Sequence, residues 1–135
     1  MYKMKTLKAR ESSIKRRIRN EQKERLFRHP FKVGLEEAWN IDTTLARWIV
    51  PRLKLFLREL DKVGGTPGKL AKEYGVKQES EEAYNKWVEI VNKMLFSFEY
   101  YADRYNRELT TNDEEKARVG EGISLFAKYY EYLWV

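Results

Sequence analysis

The sequence predicts an all-α protein: a small helical bundle with a kinked central helix and a basic N-terminal helical arm. Three observations carry this expectation. Apolar residues recur at spacings of three and four over long stretches, the period of an α-helix. No stretch alternates apolar and polar residues in the manner of a strand. The breaks between periodic stretches hold Gly, Pro, Thr, Asn and Asp in the order that stops one helix and caps the next.

The N-terminal segment reads first as an arm. Residues 8–28 contain good helix formers and neither Gly nor Pro. Ile14, Ile18 and Leu26 make a thin apolar seam, and Glu11/Lys15 and Glu21/Arg25 have the spacing of favourable helical pairs. Glu11 and Glu21 fall where a heptad needs apolar residues, so a coiled coil is disfavoured. His29-Pro30 ends the segment, because the residue before proline avoids helical geometry. Charge marks the same boundary. Residues 1–28 carry 11 Lys/Arg against 3 Glu, whereas the rest carries 16 against 18 acids. The pI of about 9.4 thus describes a basic arm, residues 1–30, attached to a nearly neutral helical domain, residues 31–135.

The central stretch runs from Trp39 to Leu60. Leu45, Trp48, Ile49, Leu53, Phe56, Leu57 and Leu60 follow helical spacing and are expected to form one apolar face. Asp42 or Thr43 stands where the N-cap belongs. Pro51 lies inside the run and removes one backbone donor, so a kink or a split is expected there. The loop D-K-V-G-G-T-P-G-K follows. Thr66 is expected to cap a short helix with Pro67 at its first position and Gly75 just past its end. A long helix should open at Ser80, with Glu79, Glu81 and Glu82 near its positive end, and run to about Leu109. Tyr84, Trp87, Ile90 or Val91, Met94, Phe98, Tyr101 and Tyr105 line one side. Thr111 and Glu114 match a capping box for a last helix ending near Trp134. Val119, Ile123, Phe126 or Ala127, Tyr130 and Leu133 should face inward. Gly120 and Gly122 each cost about 1 kcal/mol inside a helix, so they signal a local break or a close approach of another backbone or a ligand.

The composition removes several kinds of chemistry. With no cysteine there is no disulfide and no thiolate metal site. The N-terminus lacks the apolar region of a signal peptide, and no run has the length of a membrane span. The single histidine, His29, sits in a charged segment beside proline, a poor place for a catalytic triad, and Leu26 stands where a Glu-x-x-His pair would need its glutamate. Acids at 79–82 and 113–115 are explained by helix starts. G-G-T-P-G-K lacks the spacing of a phosphate loop. No catalytic group, metal or cofactor is therefore assigned. What remains is aromatic plus basic: Trp39, Trp48, Tyr129 and Trp134 could stack on a base, and Arg47, Arg52 and Lys128 could meet phosphates. The competing reading places the tryptophans in the core and the cations on its surface.

Three ordered motifs resemble a family. W-N-I-D-T-T-L-A-R-W-I-V-P-R-L-K (Trp39–Lys54) is similar to the W-x-[LI]-[DN]-x-[TS]-[LI]-A-x-[FW]-[IL]-x-P-R-L-K segment of small bacteriophage and prophage proteins. Met94-Leu95-Phe96-Ser97-Phe98-Glu99 and the stretch Glu121-Gly122-Ile123 through Leu133-Trp134 resemble its middle and end motifs. The resemblance covers residues 34–134, and the basic arm departs from it. It implies a phage-encoded protein acting in the host bacterial cytoplasm. Small non-enzymatic phage proteins of this kind counter host defence, some by sequestering nucleotide immune signals as oligomeric sponges.

The resulting expectation is a homo-oligomer that holds a nucleotide-derived molecule, such as a cyclic oligonucleotide or an ADP-ribose derivative, without turning it over. Trp39 or Trp48 would stack on the base, and Arg52 and Lys128 would contact phosphate. Asp42 and Glu99 would accept hydrogen bonds, and Gly122 would let backbone approach the ligand. Thr43, next to Asp42, and Tyr129, within the last motif, complete the set. The alternatives are a protein–protein module that blocks a host protein, or nucleic-acid binding through residues 3–28, with the steep salt dependence of phosphate contacts.

Overall fold

A computed structural model describes residues 13–21 and 34–135. The described chain is all-α, with no strand among the described residues. It divides into two units, Met1–Ile41 and Asp42–Val135.

In the first unit, residues 13–21 form helix α1 and Leu35–Trp39 form the short α2. Arg17 and Glu21 pair one turn apart at 3.1 Å. The expected pairs Glu11/Lys15 and Glu21/Arg25, the seam residue Leu26 and the stop at His29-Pro30 involve residues outside the described ones. The Glu37 carboxylate accepts from Gly34 N at 2.9 Å and so closes the start of α2.

Three long helices build the second unit. Helix α3 is Ile41–Val63, α5 is Glu81–Ala102 and α7 is Asp113–Tyr129, with the short α4 (Gly68–Tyr74) and α6 (Arg104–Arg107) between them. Local chemistry sets their ends. The Ser80 hydroxyl accepts from Ala83 N at 3.1 Å, a side-chain N-cap. Gly75 closes α4 at a φ of 64°, a left-handed geometry that glycine adopts without a Cβ penalty. Pro67, not Thr66, holds the cap position of α4, and no side chain caps it. Asn112 rather than Thr111 caps α7, accepting from Glu115 N at 2.9 Å. Thr111 instead turns its hydroxyl back to the Arg107 carbonyl. The chain breaks at Asp103, so the expected helix to Leu109 is two pieces. The last helix stops at Tyr129 and tightens into a 3-10 turn, Tyr130–Tyr132.

Helix α3 runs unbroken through Pro51, so the expected split does not occur. Buried side chains on both sides of the proline, Ala46 and Ile49 before it and Leu53 and Leu60 after it, hold the two halves on one core. That core is completed by Leu70 of α4, by Ala83, Trp87, Ile90, Val91, Met94 and Phe98 of α5, and by Tyr129 of α7. Trp87 is its centre. Phe56 and Tyr129 present edges to it, with ring centroids at 6.3 and 5.6 Å.

Helices α5 and α7 run antiparallel. Lys93 pairs with Glu121 at 2.8 Å, and the Ser97 hydroxyl donates to the Val119 carbonyl at 2.7 Å. At their closest point Gly122 faces Ser97 and the Lys93 carbonyl with no room for a Cβ. Gly122 is thus a helix-packing residue. Gly120, two residues earlier, has open space above it.

Candidate functional site

The apolar run of α3 does not form the single face expected from its spacing. Ala46, Ile49, Leu53 and Leu60 are buried, whereas Leu45 and Trp48 point outward. Residues 45, 48, 52 and 55 make a second line on the same helix. Leu45 is 45% exposed, Trp48 55% and Leu55 48%, values that place three large apolar side chains in solvent beside a fully used core face. A 23-residue helix with two separate apolar lines has more apolar surface than its own fold consumes. The signal was present in the sequence as two interleaved 3-4 repeats, 45-48-52-55 and 46-49-53-56-60. Leu55 is the residue that a single-face reading overlooks.

Trp48 and Arg52 are joined on this outer line. The Arg52 guanidinium stands 3.8 Å from the Trp48 ring centroid, and its Nη1 donates to the Trp48 carbonyl at 2.7 Å. Both side chains are exposed. Among the described residues Arg52 has no carboxylate partner. The pair forms a flat, preorganised cation–π surface, suited to an aromatic ring, an apolar side chain or an anion.

The other expected site residues are distributed elsewhere and are mostly engaged. Asp42 and Thr43 lie in the first turn of α3, not at its cap. The Asp42 carboxylate accepts from Thr43 N and pairs with Arg104 of α6. Glu99 pairs with Lys54 at 3.5 Å, and Arg47 donates to the Ala102 carbonyl at 3.2 Å. Lys128 and Tyr129 converge on Glu73, a residue the sequence reading did not single out. Lys128 Nζ and the Tyr129 hydroxyl both reach Glu73 Oε2 at 2.8 Å. The Lys128 hydrogen bond, then the Tyr129 one, holds the Glu73 carboxyl below its usual range. Burial, then the hydrogen bond to Glu73, pushes the Tyr129 phenol far up. This is a polar latch between the ends of α4 and α7, with its phenol fully buried.

Trp39 lies in the first unit, where it lines a cavity of about 360 Å³ with Ile14, Arg17, Ile18, Leu35 and Ala38. Trp134 lines a separate apolar groove of about 470 Å³ beside the Gly64–Gly68 loop, with Leu60, Trp87 and Tyr132 in its wall. Of the nine expected ligand residues, Trp48 and Arg52 touch each other, Asp42 and Thr43 are joined by a hydrogen bond, Lys128 and Tyr129 share the latch, and Trp39 belongs to the first unit.

No group of three or more His, Asp or Glu side chains is placed to hold a metal ion among the described residues. No described helix is long and apolar enough to cross a membrane. Compared with known proteins, the chain matches no family model, no curated protein and no solved structure.

Proposed function

We propose that this chain is a non-catalytic binding module that works by holding another protein chain against the outer face of α3. The observation behind the proposal is the exposed line Leu45, Trp48 and Leu55 on a helix whose opposite side is already committed to the core. Solvating three large apolar side chains in a row is unfavourable, and covering them releases roughly 25 cal/mol for each Å² of apolar surface. Tryptophan and arginine are the residue types that dominate the energy of protein interfaces, and here they sit together at the middle of the line. With the motif resemblance, the reading becomes a small phage protein that acts in the bacterial host through protein–protein contact at this face.

The test is photo-crosslinking inside cells that make the full chain. A photoreactive residue at position 48 or 55 should give a discrete adduct, and one at the exposed Lys116 of α7 should not. Adduct formation at 116 equal to that at 48 would overturn the assignment of the face.

A second reading is favoured by one observation, the Arg52 guanidinium stacked on Trp48 without a carboxylate partner among the described residues. In that reading the pair holds the base and phosphate of a nucleotide-type signalling molecule and sequesters it. A panel of cyclic dinucleotides, cyclic oligonucleotides, ADP-ribose derivatives and ordinary nucleotides separates the two. A bound member present at 100 times its dissociation constant adds about 2.7 kcal/mol of stability. A melting shift with the ligand recovered intact selects sequestration, and no shift across the panel selects the protein partner.

A further inference from the structure

We infer that the outer face of α3 binds a second copy of this chain, antiparallel and across a two-fold axis that passes between positions 48 and 52. The inference rests on the protein-binding reading of that face and names its occupant. The spacing of Leu45, Trp48, Arg52 and Leu55 is three, four, three, which reads the same in both directions. A two-fold axis at its midpoint therefore lays the line on its own reverse. Leu45 meets the partner's Leu55, and Trp48 meets the partner's Arg52. Every contact occurs twice, as a closed two-fold interface requires.

Charge decides both the occupant and the direction. A parallel pairing would set Arg52 against Arg52 in a surface being desolvated, with no carboxylate on the line between them. The antiparallel pairing lays each Trp48–Arg52 stack, 3.8 Å from guanidinium to ring centroid within one copy, on the other copy's stack in reverse order, so that cation meets indole rather than cation. Each guanidinium already donates to its own helix at the Trp48 carbonyl, so part of its hydrogen-bonding need is met before it is covered. A chain carrying leucine at both ends of the line and a Trp/Arg pair between them supplies its own complement.

The absence of cysteine makes the geometry directly testable. Full-length Leu45→Cys and Leu55→Cys variants would be mixed and oxidised under mild conditions, and the covalent products identified by mass. The expected product joins position 45 of one copy to position 55 of the other, in preference to 45–45 or 55–55. Sedimentation of the wild-type chain over a range of concentrations should show twice the monomer mass. Trp48→Ala should weaken that association by about 30-fold or more, the effect of losing a central interface tryptophan. Because Trp48 is exposed, this variant should keep its helical circular dichroism and its melting temperature. Predominant 45–45 and 55–55 products would overturn the antiparallel pairing. A monomeric wild-type chain at all concentrations would overturn self-association. If photo-crosslinking at position 48 still captured a chain of different mass, the binding face would stand with another occupant. If it captured nothing, the face and the inference would fall together.

Discussion

Gly122 lies flat against Ser97, and this contact sets how closely α5 and α7 approach. A Cβ at Gly122 would overlap the Ser97 hydroxyl and the Lys93 carbonyl and come within 2.8 Å of Ser97 Cβ. The carbonyl is helix backbone and cannot swing aside. Gly122→Ala should therefore destabilise the protein by about 3 kcal/mol, the upper end for overpacking. Gly120→Ala, two residues away on the same helix, meets open space and should stabilise it by up to about 1 kcal/mol through helix propensity. Thermal or urea denaturation of the two variants should show shifts of opposite sign. A neutral Gly122→Ala would show that α7 can slide on α5.

The same pair shows where sequence reasoning reached and where it stopped. The order of the three long helices and the end signals at Ser80 and Gly75 were legible, because those residues and the 3-4 spacing of Trp87, Ile90, Val91, Met94 and Phe98 act through local geometry. The meaning of Gly122 was not, because a close approach in sequence does not say whether a helix or a ligand approaches. Leu45 and Trp48 were placed on one apolar face with Ile49 and Leu53 because periodicity finds apolar residues without saying how many faces they occupy. Tyr129, in line for a ligand, is instead fully buried, and its neighbour Tyr130, expected inside, is 67% exposed. The 3-10 tightening after Tyr129 turns the register at that point. Glu73 was invisible as a partner because it lies 56 residues from Tyr129.

The Glu73 latch should respond to pH at both extremes. Glu73 titrates below its ordinary 4.5 in the folded chain, chiefly through Lys128 and then Tyr129. Its contribution is complete above pH 4.5 and is lost as pH falls through the depressed folded value. Tyr129 titrates above its ordinary 10.0, first through burial and then through Glu73. Its contribution is complete below pH 10 and is lost as pH rises beyond that. Tyr129→Phe removes a hydrogen bond to a charged group and should cost about 1.5 kcal/mol near neutrality. That penalty should shrink in acid as Glu73 takes a proton, and the alkaline loss of stability should be smaller in the variant. Urea unfolding at several pH values checks both limbs. A penalty that stays constant into acid would mean the phenol matters for packing alone.

Arg52→Ala separates binding from folding. The guanidinium is exposed, pairs with no described carboxylate and touches its own helix. Its loss should change stability by no more than about 0.5 kcal/mol, the usual range for an exposed position. It should weaken whatever the outer face of α3 holds, protein or nucleotide. Melting curves and a binding measurement on the same preparation test this. A large loss of melting temperature would mean that Arg52 braces α3 rather than its partner.

Pro51 offers the last test, because it is exposed and lies inside a continuous helix. Proline removes one helical hydrogen bond and crowds the carbonyl four residues back, here that of Arg47, a defect of about 3 kcal/mol in an ordinary helix interior. Arg47 itself reaches across to the Ala102 carbonyl, tying α3 to the end of α5 at this level. If α3 carries the full defect, Pro51→Ala should raise stability by more than 1 kcal/mol and leave Arg47 in place. If the core of α3 is instead built around the proline, the restored hydrogen bond would straighten the helix, pull Ile49 and Leu53 out of register with α5 and cancel the gain. The buried residues on both sides of Pro51 are placed by one unbroken helix, so the expected result is stabilisation. A calorimetric melt decides it, and an unchanged or lower melting temperature would show that the proline shapes the core.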